Sequence, residues 1–532
     1  MIGLRTVQEN RILFGAFFLH LLLKFSIIHL NAGEYTDGII QIIQHQMDLS
    51  GFWPPLYNWL IRLLTLTGMS GEYAGRFISI ISSSLLIFPL YFLTRHICHN
   101  QQKAAIFAIF IYTFSPLHLR WSVRVMTDSL FTFLNFTVIY YLFNALENRS
   151  HAYYCLKYFL YANIFLLLAT LTRYQGILVV PWYLYVLYLY SRRFTLQVKN
   201  WRELTPKTRQ KIAKYGVIFL LSLLPWILVV RMYFVQGGIH AFQIGERMGH
   251  AFMGTLGNYF IVFDAFTGHI PYFFNYFVVV FAFAGFLFIS SRRIKQMIFK
   301  IFFFYYLIAL LAVQAVFQSF QERYLLPLLP FFCLLAGTGL FFLMYEPSHR
   351  SDHDGIPQFR KRSGRFQWIY PVFLALTTLT LFVTSIAVLT FQSGTFGSIK
   401  ETAVYIKEHN PQGNIYSNEI YRQGYEAIKI RYWSENDDIL YYAPYKSDQF
   451  EPGDYVAVHS VYIGNLSRYY HYLEHLDSQY ELEEIFRTPN YMTLPIFPDI
   501  MTNHSNQNPL WSVYRFTPQY YQSCLLKVVD KN

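Results

Sequence analysis

What most constrains this chain is a series of apolar blocks, each about twenty residues long and separated by short basic segments. A helix of that length matches the hydrocarbon thickness of a bilayer. The first block, Ile12–Leu30, follows Arg5 and Arg11. Then come Phe77–Thr94, Ala104–Leu117, Thr127–Leu146, Leu156–Leu171, Ile177–Tyr190 and Tyr215–Val235. The last four are Tyr272–Ser290, Ile301–Gln318, Tyr324–Tyr345 and Ile369–Phe391. The series predicts an α-helical polytopic membrane protein with about eleven transmembrane helices. Ile12–Leu30 is long for the core of a signal peptide and lacks a small-x-small cleavage site, so it reads as a spanning helix. Composition agrees with this class. Only 14% of the 532 residues are charged and 54% are hydrophobic, whereas a soluble chain carries about 25% charged residues.

The net charge of +12 does not indicate a nucleic-acid partner, because the basic residues fall mainly between apolar blocks, where they orient the chain in a membrane. With the N-terminus cytoplasmic, alternation places Arg95–Lys103, Glu147–Lys157, Ser191–Lys214, Ser291–Lys300 and Glu346–Gln367 inside. These segments hold the dense clusters Arg192-Arg193, Arg292-Arg293-Ile294-Lys295 and Arg360-Lys361-Arg362, as the positive-inside rule requires. The expected location is the plasma (inner) membrane, with the C-terminus outside. Cys98, Cys155, Cys333 and Cys524 are far apart and form neither a zinc motif nor a disulfide framework.

Two parts then follow. Residues 1–391 form the membrane part, with a first outer loop at residues 31–76 whose Trp53, Trp59, Leu60 and Leu63 suit interfacial helices. Residues 392–532 change in composition. Ser398–Asn410 reads as an amphipathic helix, Asn414–Ser417 and Tyr455–His459 as strands, and Trp511–Phe516 as a third. A small extracytoplasmic α/β domain is expected there. No internal repeat or low-complexity tract stands out.

The outer side collects the residues that suit chemistry. In Gly33-Glu34-Tyr35-Thr36-Asp37-Gly38, Glu34 and Asp37 lie in or just before the first turn of a helix that begins near Thr36. The helix dipole favours negative charge there, so both also read as simple caps. Pro54-Pro55-Leu56-Tyr57 follows in the same loop. Ser115-Pro116-Leu117-His118 leads to Arg124 and Asp128, which is spaced for an i, i+4 pair at a helix start. Arg173 sits in the turn Thr172-Arg173-Tyr174-Gln175, and Glu322-Arg323-Tyr324 precedes another apolar block; at both places a lipid-headgroup anchor is the plainer reading. His240, Glu246, Arg247 and His250 fall in one loop, where two histidines ten residues apart are weak grounds for a metal, and no metal ligand is assigned. Lys24 and Arg231 lie near helix ends, where they can snorkel. Arginines from several turns suit a phosphate, because a guanidinium grips its oxygens bidentately, and a carboxylate beside them suits general-base work.

This ordered series on one membrane side resembles the GT-C membrane glycosyltransferases, particularly the bacterial relatives of the protein O-mannosyltransferases and the lipid A aminoarabinose transferase. The resemblance runs from about residue 10 to residue 345. It implies transfer of a hexosyl or pentosyl group, usually with inversion, from a polyprenyl-phosphate sugar to a lipid, glycan or protein acceptor. By the same resemblance, Asp37 or Glu34 is the base, and Arg124, Arg173 and Arg323 bind the donor phosphate. Asp128 orients Arg124 or binds acceptor, and His118, Tyr57 and Glu322 contact substrate. Relatives often carry adjacent acids where this chain has Gly33-Glu34 and then Asp37. The identity of the base and any need for a divalent cation therefore stay open, with Asp37 favoured because it directly precedes Gly38 and the helix. No other cofactor is implied. A polyprenyl-diphosphate glycan ligase and a lipid or sugar transporter are the rival readings. A transporter would place ionisable groups and broken helices at mid-membrane.

Overall fold

The computed structural model describes residues 2–43, 54–147, 152–199, 205–231, 275–290, 294–316, 322–351, 357–361, 369–392, 394, 396–419, 427–444, 450–463, 466–493 and 519–531. The protein is mostly helical. Among the described residues, six helical segments are long and apolar enough to cross a membrane: Arg11–Leu30, Gly71–Ile97, Thr127–Leu146, Tyr154–Thr172, Lys295–Gln314 and Arg323–Met344. Shorter apolar helices accompany them at Gln102–Thr113, Tyr174–Leu189, Tyr276–Phe288 and Leu374–Thr390.

Local chemistry explains the irregular helices. Gly71–Leu85 and Ile87–Ile97 form one span broken at Leu86, where Pro89 cannot donate to the carbonyl of Leu85. The block that begins at Tyr324 opens as a 3-10 helix, Glu322–Leu328, before becoming the α-helix Leu329–Met344. Pro327 and Pro330 lack the N–H donors that would reach the carbonyls of Arg323 and Leu326. This keeps Arg323 in a tight turn at the mouth of the span. The helices Tyr276–Phe288 and Leu329–Met344 cross closely through glycine. A Cβ on Gly285 would lie 1.9 Å from the carbonyl oxygen of Leu335, and one on Gly339 would lie 2.0 Å from that of Phe281. Small residues let membrane helices approach to backbone contact.

Lys24 departs from the expectation. It does not snorkel but is fully buried, with Nζ donating to Ser122 Oγ at 2.5 Å. It lies on the face of its helix that packs inward, next to His20 in sequence register, and the hydroxyl partner there offsets the cost of burial. Another unforeseen element is an antiparallel hairpin, Tyr345–Ser351 with Pro357–Lys361, in a segment that the sequence marks only as basic.

After the helix Ile369–Gln392 the chain forms an α/β unit. Strands Leu440–Tyr441, Ile415–Ser417, Tyr455–His459, Ser523–Lys531 and Tyr480–Arg487 lie in that order across one sheet. The first three run parallel and the last two pair antiparallel. Alternation along Tyr455–His459 builds two layers, since successive side chains point to opposite faces. Val456 and Val458 pack with Tyr469 and Tyr472 of the helix Leu466–Asp477. Ala457 faces the other way, into a cluster with Ile399, Ala403 and Ile406 of the helix Gly397–His409. That second cluster also contains Ile39, Ile40, Tyr57, Ile61 and Val125, so the α/β unit shares one core with the first loop. The expected helix and the first two strands are present within a residue or so of their expected ends. Trp511–Phe516 lies outside the described residues.

Candidate active site

The first-loop helix is Thr36–Ile43, with Asp37 in its first turn. Gly38 seats it, because a Cβ there would lie 2.6 Å from the carbonyl oxygen of Val125. Only a glycine lets this helix lie against the backbone that leads from Arg124 to Asp128. Close by that seat, the carboxylate of Asp37 accepts from Arg323 Nη2 at 2.5 Å. Arg323 Nη1 points at the sulfur of Met126, 3.3 Å away.

A second pair stands beside the first. Asp128, in the first turn of the helix Thr127–Glu147, meets Arg173 Nη1 at 2.6 Å. Arg173, directly after the helix Ala152–Thr172, also donates to Gln175 Oε1 at 2.9 Å and to Thr127 Oγ1 at 3.2 Å. The ring of Tyr324 links the pairs, lying 5.2 Å from each guanidinium carbon, within cation–π range. Among the described residues Asp128 Oδ2 is buried with no hydrogen-bond partner, an acceptor held ready inside the cluster. Asp37, Asp128, Arg173 and Arg323 thus come together from four distant parts of the chain.

The other expected site residues have different partners. Glu34 is fully buried and accepts from Arg76 Nε at 2.6 Å and from the Val125 backbone N–H at 3.2 Å. The same guanidinium donates to the carbonyls of Ile28 and Asn31. These contacts splice the end of the first helix to the loop. Arg124 Nη1 donates to the Gly33 carbonyl at 3.2 Å, and its guanidinium lies 4.9 Å from the Tyr35 ring centroid. His118 Nε2 meets His20 Nε2 at 3.1 Å, beneath the ring of Tyr112. The backbone of Glu322 belongs to the 3-10 turn, while its side chain lies outside the described residues, as do His240, Glu246, Arg247, His250 and Trp53.

Tyr57 is fully buried, its hydroxyl donating to the Gly75 carbonyl at 2.8 Å and lying 3.0 Å from Ser79 Oγ. Tyr57→Phe is therefore expected to cost about 1–2 kcal/mol of stability, read as a lower melting temperature. Substrate KM should stay at the wild-type value; a selective rise in KM would instead make Tyr57 a substrate contact.

Sequence reading missed Lys429. It stands in the short helix Ile428–Ser434 of the α/β unit and is fully buried. Its ammonium pairs with Glu419 at 2.8 Å and donates to Thr36 Oγ1 at 2.7 Å and to Tyr462 Oη at 2.5 Å. Burial lowers its pKa from the ordinary lysine value, opposed by the charges of Glu419 and Asp37. No local pattern marks this residue, since its partner Thr36 is 393 positions away.

A cavity of about 750 Å³ lies against the same seam, lined by residues that include Ile43, Glu72, Lys400, Tyr432 and Trp433. It abuts the far end of the first-loop helix from Asp37, about 9 Å along by helix rise. Among the described residues no three His, Cys, Asp or Glu side chains come together as a metal site. Asp37 and Asp128 each sit on a guanidinium instead.

Residues 53–228 match the family model described as dolichyl-phosphate-mannose-protein mannosyltransferase. The fold is similar to that of ArnT from Cupriavidus metallidurans. Against its apo crystal structure the TM-score is 0.50 at 13% identity, covering 86% of this chain and 93% of that one. Against ArnT bound to undecaprenyl phosphate the TM-score is 0.51 at 12% identity, covering 97% of each chain. No curated protein sequence matches the chain.

Proposed function

We propose that this chain, a multi-pass membrane protein of the GT-C glycosyltransferase fold, moves a hexosyl or pentosyl group from a polyprenyl-phosphate donor to an acceptor hydroxyl or amine. The reading assigns residues 1–391 to the membrane part, with a cytoplasmic N-terminus. It assigns residues 392–532 to a domain on the extracytoplasmic side, where transfer takes place. One observation carries it: the pairs Asp37–Arg323 and Asp128–Arg173 meet at the ends of apolar helices. The polyprenyl phosphate in the similar ArnT structure supports the class of donor.

The chemistry follows from these groups. Asp37 takes the acceptor proton as the acceptor atom bonds to the anomeric carbon. The bond from that carbon to the phosphate oxygen breaks, its electron pair stays on the phosphate, and polyprenyl phosphate leaves. Arg323 and Arg173 hold this anion, trading part of their contact with the carboxylates for phosphate oxygens. A single displacement inverts the anomeric centre. Asp128 Oδ2 accepts a further hydroxyl of the substrate and fixes its approach.

The test is transfer of labelled sugar from a panel of polyprenyl-monophosphate sugars by purified protein in lipid. Arg173→Ala is expected to raise donor KM about ten- to a hundredfold, the loss of one charge-assisted contact to phosphate. Arg173→Lys should recover only part of it, because a point charge lacks the guanidinium fork. Turnover with diphosphate-linked donors alone would overturn the monophosphate reading in favour of a glycan ligase.

A further inference from the structure

Lys429 occupies a place that the needs of its own domain do not explain. Replacing a buried ion pair by apolar side chains is often neutral or stabilising, so stability alone is a weak reason to keep one. Glu419 already serves its domain, accepting the backbone N–H groups of Lys429 and Ile430 at the start of the helix Ile428–Ser434. The ammonium nevertheless reaches out of the α/β unit to Thr36 Oγ1 at 2.7 Å. Thr36 opens the first-loop helix and immediately precedes Asp37. The ring of Phe396 lies 4.6 Å from the ammonium and that of Tyr462 5.2 Å, which shields the contact from water. A second tie binds the same two bodies, since Lys400 Nζ and Trp433 Nε1 both donate to Glu72, at 2.8 and 2.5 Å.

We propose that Lys429 is a positioning residue of the active site: the α/β domain supplies a buried ammonium that fixes the first turn of the Thr36–Ile43 helix and so the aim of Asp37. The inference rests on the transferase reading above. It makes the domain part of the catalytic unit and not only a surface that selects acceptors. Lys429 touches neither the reacting atoms nor the donor. It acts through Thr36 and through its charge beside Asp37, and a base displaced by about 1 Å loses up to about a hundredfold in rate.

The experiment uses the full-length protein in lipid, with Lys429→Met, Lys429→Arg and Thr36→Val. Lys429→Met should lower kcat about ten- to a hundredfold with donor KM unchanged, and Lys429→Arg should restore part of the rate. Thr36→Val removes the contact while leaving the ion pair with Glu419 in place, so it covers the case in which Lys429→Met fails to fold. It should lower kcat by about tenfold and add little when combined with Lys429→Met. Hydrogen exchange supplies a readout independent of turnover: amides at residues 36–43 should lose protection in both variants while the sheet strands keep theirs. Unchanged exchange at residues 36–43 in folded Thr36→Val would overturn the proposal. So would equal loss of protection across the whole domain, which marks a purely structural lysine. If wild-type protein transfers nothing from any donor, the transferase reading fails, and the exchange result still decides whether Lys429 orders the helix.

Discussion

Asp37→Asn is expected to abolish most turnover, lowering kcat by about 10²–10⁴-fold, the range a positioned general base contributes. Donor KM should stay within a few-fold. The amide oxygen of Asn still accepts from Arg323, and Asp128 stands near enough to balance part of the freed charge, so the melting temperature should move little. The measurement is steady-state transfer of labelled sugar beside thermal unfolding of the same sample. Turnover that survives in folded Asp37→Asn protein would remove Asp37 from the base role.

Glu34→Gln is expected to fail in a different way. Glu34 and Arg76 form a fully desolvated pair at 2.6 Å, and the guanidinium also holds the carbonyls of Ile28 and Asn31. Removing the Glu34 charge leaves the buried guanidinium of Arg76 with only Glu72, 3.9 Å away, to balance it, which costs about 3 kcal/mol. Lower yield and a lower melting temperature are the expected readings, with any loss of turnover following the loss of folded protein. Pairing the substitution with Arg76→Met should recover much of that stability, because both charges then leave together. A Glu34→Gln protein that melts like wild type yet transfers nothing would return Glu34 to the catalytic role. Together the two variants separate the acids that the sequence leaves as alternatives.

The physical difference between them is their partner. Glu34 is enclosed by a guanidinium that also splices two carbonyls of the loop, so its charge is committed to holding the backbone. Asp37 meets Arg323 beside a second carboxylate–guanidinium pair, whose Asp128 Oδ2 has no hydrogen-bond partner among the described residues. Chemistry needs groups that can exchange partners when a substrate arrives, and the second arrangement allows it.

The sequence by itself determined what depends on near neighbours. Apolar runs specify helices because a backbone in lipid must satisfy its own hydrogen bonds. Thr36 and Asp37 mark a helix start because the first turn favours a capping oxygen and negative charge. The alternation Val456-Ala457-Val458 marks a strand between two layers. Asp37, Asp128, Arg173 and Arg323 could each be named from the sequence as a polar group at the mouth of an apolar block. Only the tertiary structure decided how they pair. Asp128 takes Arg173, 45 positions on, and Asp37 takes Arg323, 286 positions on. It turned Lys24 inward, set Glu34 on Arg76 and delivered Lys429 to Thr36. Such contacts are chosen by which helices pack and how closely, as at Gly38 against Val125 and Gly285 against Leu335. A charge finds its partner across hundreds of residues only after the apolar faces have met.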